Sequence, residues 1–145
     1  MPGKCLVIER HRWETGFQEE QLQIPKKAFQ DFFGRPGKIN IDIFASATSK
    51  NPTRSIQAKL SHYRSSATYR INRVEELGGL NQVFIFIQEI LDSEGNVQRY
   101  QLWWNFDVAL IVAKFSGWNK VKDSQHGRGR LWCILNSPVP RRLRL

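Results

Sequence analysis

The chain has 145 residues, of which 41% are hydrophobic and 12% aromatic, and its formal net charge is +9. This length allows one domain to bury its own core without disulfide or metal staples. The positive charge favours a polyanionic partner, and nucleic acid over an anionic membrane because no long basic amphipathic helix is visible.

Cysteine spacing and hydropathy indicate an intracellular protein. Cys5 and Cys133 are far apart and form no CxxC pattern, so we expect buried free thiols in a reducing compartment. The first apolar run, residues 5–8, is too short for a signal peptide. Later apolar runs are too short and too interrupted for a membrane-spanning helix. The sequence therefore predicts a cytoplasmic protein with no membrane partner.

The N-terminal third predicts three short strands and one helix. Strands are expected at residues 5–9, at residues 22–25 and at residues 39–43, where three isoleucines alternate with Asn40 and Asp42. The helix is expected over residues 25–34. It has a proline in its first turn, a glycine at its end and three phenylalanines on one face.

Residues 50–74 predict a strand, a turn and a strand that carry six basic residues and no acidic one. The basic residues are Lys50, Arg54, Lys59, Arg64, Arg70 and Arg73, interleaved with His62, Tyr63, Thr68, Tyr69 and Asn72. The major groove of DNA admits a two-stranded ribbon, and its phosphates and base edges attract Lys, Arg and amide groups. The alternative is a solvated edge hairpin whose charges discourage aggregation.

The second half predicts a hairpin, a helix and a last strand. The hairpin joins strands at residues 83–91 and 97–104. Asn105 is the expected cap of a helix whose inner face carries Phe106, Ala109, Leu110 and Ala113. Residues 116–130 read as a loop whose basic side chains bind phosphate or are solvated, residues 131–135 as a strand, and residues 138–145 as a linker or basic tail. Trp103, Trp104, Trp118 and Trp132 are expected in the core or at its edge.

No catalytic or metal site is predicted. No lysine follows an acidic residue at the spacing of a PD-(D/E)xK nuclease, and no histidine begins an HxK, HNH or HExxH motif. A stand-alone nuclease with an unrecognised motif stays open as an alternative, and a magnesium-dependent cleavage assay would decide it. An RNA-binding protein is a third alternative, which competition between duplex DNA and RNA would decide.

About seven short strands and two helices predict a mainly β fold, an open or closed antiparallel barrel. Three stretches carry a resemblance: residues 22–33, residues 54–75 around Arg70-Ile71-Asn72-Arg73, and the hairpin at residues 91–95 with Trp103 after it. In this order they resemble the N-terminal effector domain of EcoRII-type restriction endonucleases, which shares the DNA-binding pseudobarrel of plant B-three transcription factors. The resemblance spans roughly residues 5–107 and implies a seven-stranded pseudobarrel domain at residues 1–137.

In that family two arms grip the major groove of a specific duplex site. The resemblance implies a first arm at residues 10–18 and a second arm within the ribbon. The implied DNA-binding residues are Arg10, His11, Arg12, Trp13, Glu14 and Gln18 in the first arm, and Lys59, His62, Tyr63, Arg64, Ser65, Thr68, Tyr69, Arg70, Asn72 and Arg73 in the second.

Residue chemistry divides these candidates into two groups. Arg10, Arg12, Arg70 and Asn72 are expected to read base edges, because forked guanidinium and amide groups bond to them in pairs. Lys59, Arg64 and Arg73 are expected to bind phosphate. The domain itself needs no cofactor and is expected to be non-catalytic. Mg²⁺ would serve only an associated nuclease domain, in cis or in trans.

Overall fold

The computed structural model describes residues 1–10, 21–46, 48–62, 68–78, 80, 83–122 and 129–136. Within these ranges the chain is mainly β, with nine strands in one sheet and two short helices. The strands are β1 (Pro2–Arg10), β2 (Leu22–Pro25), β3 (Gly37–Ile43), β4 (Arg54–His62), β5 (Thr68–Ile71), β6 (Val83–Leu91), β7 (Val97–Asn105), β8 (Asn119–Lys122) and β9 (Gly129–Leu135). The helices are α1 (Lys26–Phe32) and α2 (Val108–Lys114). Nine strands correct the predicted seven.

The sheet curls into a nearly closed barrel with the strand order β2-β5-β4-β3-β7-β6-β1-β9-β8. Its pairs are antiparallel except β3 with β7, which run parallel from Ile41 opposite Tyr100 to Ile43 opposite Leu102. The fully antiparallel prediction is therefore wrong at this pair. One edge of β3 pairs with β4, and one edge of β7 pairs with β6. The other edges of β3 and β7 therefore pair with each other. At the opposite ends of the sheet, a side chain of β9 reaches β2: Arg130 Nη1 donates to the Gln23 carbonyl at 3.1 Å.

Alternating residues fill the barrel. Ile41 and Ile43 of β3 lie in the first core cluster together with Ile56, Ala58 and Leu60 of β4, as the isoleucine pattern predicts. The opposite faces of β1, β6, β7 and β9 carry a second cluster beneath α2. Cys5 and Cys133 lie in this second cluster as buried thiols outside any disulfide, as the sequence predicts, and the reducing compartment stays a prediction.

Helix α1 packs against one side of the barrel. It begins after Pro25 and buries Phe29 and Phe32, while Phe33 packs against the same cluster. Gly34 follows with a positive φ of 89°, a conformation that glycine adopts without strain. Both the helix and its apolar face agree with the sequence prediction. Neither helix of the described ranges is long and apolar enough to cross a bilayer.

The C-terminal third differs from its prediction in two places. Asn105 pairs with Phe84 at the end of β7, and the cap of α2 is Asp107, whose carboxylate accepts from Leu110 N. The buried residue of this helix is Ile111, and Phe106 is 67% exposed. Part of the predicted loop at residues 116–130 is strand β8, which pairs with β9. Tryptophans 103 and 132 are buried and 104 and 118 half-buried, as expected.

A β-bulge near the N-terminus is held by two buried side chains of β6. The β1–β6 register shifts by one residue between Pro2 and Cys5. Gln88 Nε2 donates to the carbonyls of Gly3 and Lys4, at 2.7 and 3.0 Å, and Glu89 Oε1 accepts from Lys4 N at 2.8 Å. A Cβ on Gly3 would lie 2.8 Å from that carboxylate oxygen. The bulge therefore needs a glycine, an amide donor and a carboxylate acceptor together.

A buried thiol and a buried phenol, which both lose a proton at alkaline pH, predict a loss of stability there. Burial raises the pKa of Cys133 from 9.0 to about 12, and burial together with Glu89 raises that of Tyr100 from 10.0 to about 12. Above pH 9 the unfolded chain releases these protons while the folded chain keeps them. The free energy of unfolding should therefore fall as pH rises from 9 towards 12, by at most about 1.4 kcal/mol per pH unit for each group. Urea unfolding against pH would measure the slope, which Tyr100→Phe and Cys133→Ala should flatten. An unchanged slope in both variants would contradict the assignment.

Candidate nucleic-acid interface

The predicted ribbon consists of β4 and β5, which pair from Leu60 opposite Ile71 to His62 opposite Tyr69. Leu60 and Ile71 are buried in the barrel. Side chains alternate across a strand, so Ser61 and Arg70, which pair between them, lie on the outer face. This places Ile71 inward and Arg70 outward, as alternation predicts. Tyr63, Arg64 and Ser65 lie outside the described residues, as do His11, Arg12, Trp13, Glu14 and Gln18 of the first arm.

Arg70 is held on this outer face by the strand that precedes α1. It pairs with Gln23 of β2, and its Nη1 donates to Gln21 Oε1 at 2.7 Å. The side chain is half-buried. Because the guanidinium is oriented by a neighbour, less conformational entropy is lost when it binds a ligand.

Asn72 and Arg73 end the ribbon rather than continue it. Asn72 N donates to the Lys59 carbonyl at 3.3 Å, and Asn72 Oδ1 accepts from Lys59 N at 2.8 Å. Arg73 follows with a positive φ of 62°, which turns the chain away from β4. Its Nη1 donates to the Gln57 carbonyl at 2.9 Å. Both residues thus support the backbone of β4 from the side of β5.

Tyr69 is half-buried and packs against the barrel. Its ring stacks on Phe29 with centroids 3.8 Å apart, and the His62 ring lies 4.7 Å away across the strand pair. The His62 side chain is exposed. Thr68 begins β5 opposite Pro25. The stack joins the end of the ribbon to α1, so its aromatic rings stabilise the position of the ribbon.

Positive charge gathers on the outer face where β3 meets β4. Lys38 is the register partner of Lys59, and both are exposed. Within the described residues neither lysine has an ion pair, whereas Asp42, four residues after Lys38 on the same face of β3, pairs with Arg99. Lys38 is not among the predicted site residues because it lies outside the ribbon. Its alternation with Ile39 and Ile41 could have placed it on the outer face.

Arg54 does not add to this charge. Its guanidinium pairs with Glu75 and Glu76, which form a short 3-10 turn just after the ribbon. The pKa of Glu75 is lowered, first by a bond from its own backbone amide and then by Arg54. The six basic residues of the ribbon are therefore partly offset by acids that directly follow it in sequence. Lys50 lies exposed in the loop before β4.

Two arginines that the sequence places at the surface, Arg10 as a base reader and Arg130 in a loop, lie in the barrel wall. Arg10 ends β1 and is fully buried, in the row of Leu6 and Ile8 that faces the first core. Arg130 is 8% exposed and bridges to β2. The expectation that Arg130 belongs to a phosphate-binding or solvated loop is therefore corrected. Arg10 lies at the root of the first arm, and its contact with a base edge stays a prediction.

No group of three histidine, cysteine, aspartate or glutamate side chains in the described ranges is placed to hold a metal ion.

No family model matches the chain, and no curated protein matches it. Among solved structures, the Arabidopsis FUS3–DNA complex is similar over 68% of this chain and 93% of that chain, with 15% identity and a TM-score of 0.45. A TM-score below 0.5 is too low to establish a shared fold or function.

Proposed function

We propose that this chain recognises a short specific site in double-stranded DNA through the outer face of the β4–β5 ribbon and the first arm. The observation that carries the proposal is the composition of that face: Arg70, oriented by Gln21, near exposed Lys59. In the sheet this pair is flanked by β2 and β3, so the face would offer its outward side chains to the groove and not a free two-stranded ribbon.

The two kinds of contact are assigned to different residues. Arg70, with Arg10 and Arg12, is proposed to read base edges, and Lys59, Arg64 and Arg73 to bind phosphates. Asn72, expected from the sequence to read a base edge, accepts a bond from Lys59 N and is proposed to position that lysine instead. The other DNA-binding residues implied by the resemblance would line the two arms between the base-reading and the phosphate-binding residues. The resemblance in element order supports a role as the target-recognition domain of a restriction endonuclease in the cytoplasm. Its Mg²⁺-dependent nuclease domain would be supplied in cis or in trans.

Selection of bound duplexes from a random pool tests the proposal. The protein should enrich one short motif, and a duplex with that motif should outcompete both a scrambled duplex and an RNA duplex of the same sequence. Enrichment of no motif would leave a basic protein without sequence recognition. Preference for the RNA duplex would favour the RNA-binding alternative, and cleavage with Mg²⁺ alone would favour the nuclease alternative.

Arg70 offers the sharpest single-residue prediction for base reading. Arg70→Ala should lose about 1–3 kcal/mol of binding free energy on the selected duplex and relax the preference at one base pair. Arg70→Lys keeps the charge but loses the planar fork, so it should bind scrambled duplex normally and selected duplex weakly. Fluorescence anisotropy with both duplexes measures these affinities. Equal losses on both duplexes would make Arg70 an electrostatic anchor.

A further inference from the structure

Lys38 and Lys59 lie directly opposite each other on neighbouring strands with no acid between them. They are Cα partners in the antiparallel β3–β4 ladder, and both side chains are exposed. Residues in such pairs have Cβ atoms about 4.5–5.5 Å apart, and like charges at that distance destabilise a sheet. The free protein therefore carries a local repulsion that a bound anion would relieve.

The acids nearest in sequence do not neutralise this pair. Asp42 bonds with Arg99 and Ser55, and Glu75 and Glu76 pair with Arg54. Arg73, which bonds to the Gln57 carbonyl beside the pair, adds a third positive charge to this part of the face. Among the described residues the region is thus positive, and its acids are engaged elsewhere.

Asn72 sets the backbone of one member of the pair. In an antiparallel ladder, two residues in a hydrogen-bonded pair exchange both N–H and C=O bonds. Here Asn72 N donates to the Lys59 carbonyl, but Lys59 N donates to the side-chain Oδ1 of Asn72. The left-handed Arg73 turns the chain away at this point. The carboxamide oxygen therefore replaces a ladder acceptor and keeps Lys59 in strand geometry.

We propose that Lys38 and Lys59 form one phosphate-binding pair, which extends the DNA interface from the ribbon onto β3, and that Asn72 is its positioning residue. This inference rests on the proposed function, since the phosphate is that of a duplex backbone. Two ammonium groups side by side can bond to oxygens of two neighbouring phosphates without reading bases. The pair thus contributes affinity for any duplex.

The first test measures salt dependence with single and double variants. Affinity for a scrambled duplex is measured from low to moderate salt for Lys38→Ala, Lys59→Ala and the double variant. Each single substitution should reduce the slope of log affinity against log salt by about one, and the double by about two. The control is Lys114→Ala, an exposed lysine on α2, and it should leave the slope unchanged.

The outcomes separate this inference from the function on which it rests. If the wild-type chain binds no duplex, the proposed function fails and the inference fails with it. If the wild type binds and Lys38→Ala has the wild-type slope, the inference is overturned while the proposed function stands. A reduced slope in Lys114→Ala of the same size would also overturn it, because the effect would then report net charge alone.

A double-mutant cycle tests the role of Asn72. If Asn72 acts by positioning Lys59, Asn72→Ala should weaken selected and scrambled duplexes by the same factor, and that loss should vanish in the Lys59→Ala background. If Asn72 reads a base, its loss should be confined to the selected duplex and should add to that of Lys59→Ala, which would overturn the positioning role. Circular dichroism and thermal unfolding of each variant establish that the barrel is intact.

Discussion

Replacing Gln88 by glutamate is expected to lower the free energy of unfolding by about 3–5 kcal/mol at pH 7. The side chain is fully buried, and its amide nitrogen lies 2.7–3.2 Å from the carbonyl oxygens of Gly3, Lys4 and Glu89. An ionised carboxylate has no hydrogen to donate. The substitution would place a buried negative charge against acceptors and leave the carbonyls of the bulge without their donor.

The sign of the pH dependence makes the prediction specific. Burial without a donor partner should raise the pKa of the introduced carboxyl above its unfolded value. The destabilisation should therefore shrink as pH falls from 7 towards about 4.3 and stay at its smallest below that value, where both states are protonated and the acid can donate one bond. Urea unfolding at pH 7 and at pH 4 measures it, each variant being compared with wild type at the same pH.

An exposed glutamine supplies the matched control. Gln98→Glu adds the same charge on the neighbouring strand β7, where the side chain is exposed, and should change stability by no more than about 0.5 kcal/mol. Gln88→Leu should fall between the two, because it removes the donor without adding a charge. A Gln88→Glu variant as stable as Gln98→Glu at pH 7 would show that the bulge does not need this donor.

The sequence predicted the elements whose local pattern agrees with their final pairing. The isoleucines of β3 alternate, and the long apolar run of β6 is buried at both faces, so both strands were predicted correctly. Helix α1 has its proline, its glycine and its phenylalanine face in adjacent turns. In these segments local preference and tertiary burial favour the same structure, and pattern analysis is reliable there.

The sequence was less informative where distant pairing decides the structure. Strand β8 contains one apolar residue in four and exists through its ladder with β9. Asn105 is a good helix cap by residue type, but its pairing with Phe84 extends β7 and leaves Asp107 as the cap. Such competition between two suitable cap residues is settled by the neighbouring strand, which no local window contains.

The candidate site shows the same limit. The outward direction of Arg70 followed from alternation, whereas its bond to Gln21 spans 49 residues of sequence. The link between Asn72 and Lys59 depends on where β5 ends. The end of β1 was predicted one residue too early, at Glu9. Because β1 includes Arg10, this residue continues the buried row of Leu6 and Ile8.

The largest functional effect expected is a two-layer dependence of DNA affinity on salt and sequence. Each phosphate that the protein neutralises releases counterions, and it contributes a slope of about −0.9 to log affinity against log salt on duplex DNA. Lys38, Lys59 and Arg73 alone predict a slope near −3 by this estimate, before the arms are counted. Any duplex should therefore bind weakly at moderate salt and much more tightly at low salt.

The second layer is sequence recognition, which should respond differently to salt. The selected duplex should bind about a thousandfold tighter than a scrambled one, as is typical of specific readers. This ratio should persist as salt rises, because bonds to base edges release few counterions while both duplexes lose phosphate contacts alike. Competition anisotropy with the two duplexes at about 50, 100 and 200 mM salt, the range over which phosphate contacts weaken strongly, measures both quantities on the same samples. A ratio that collapses towards one at the higher salt would mean that the apparent preference is electrostatic. The outer face of the ribbon would then be an anchor for any polyanion.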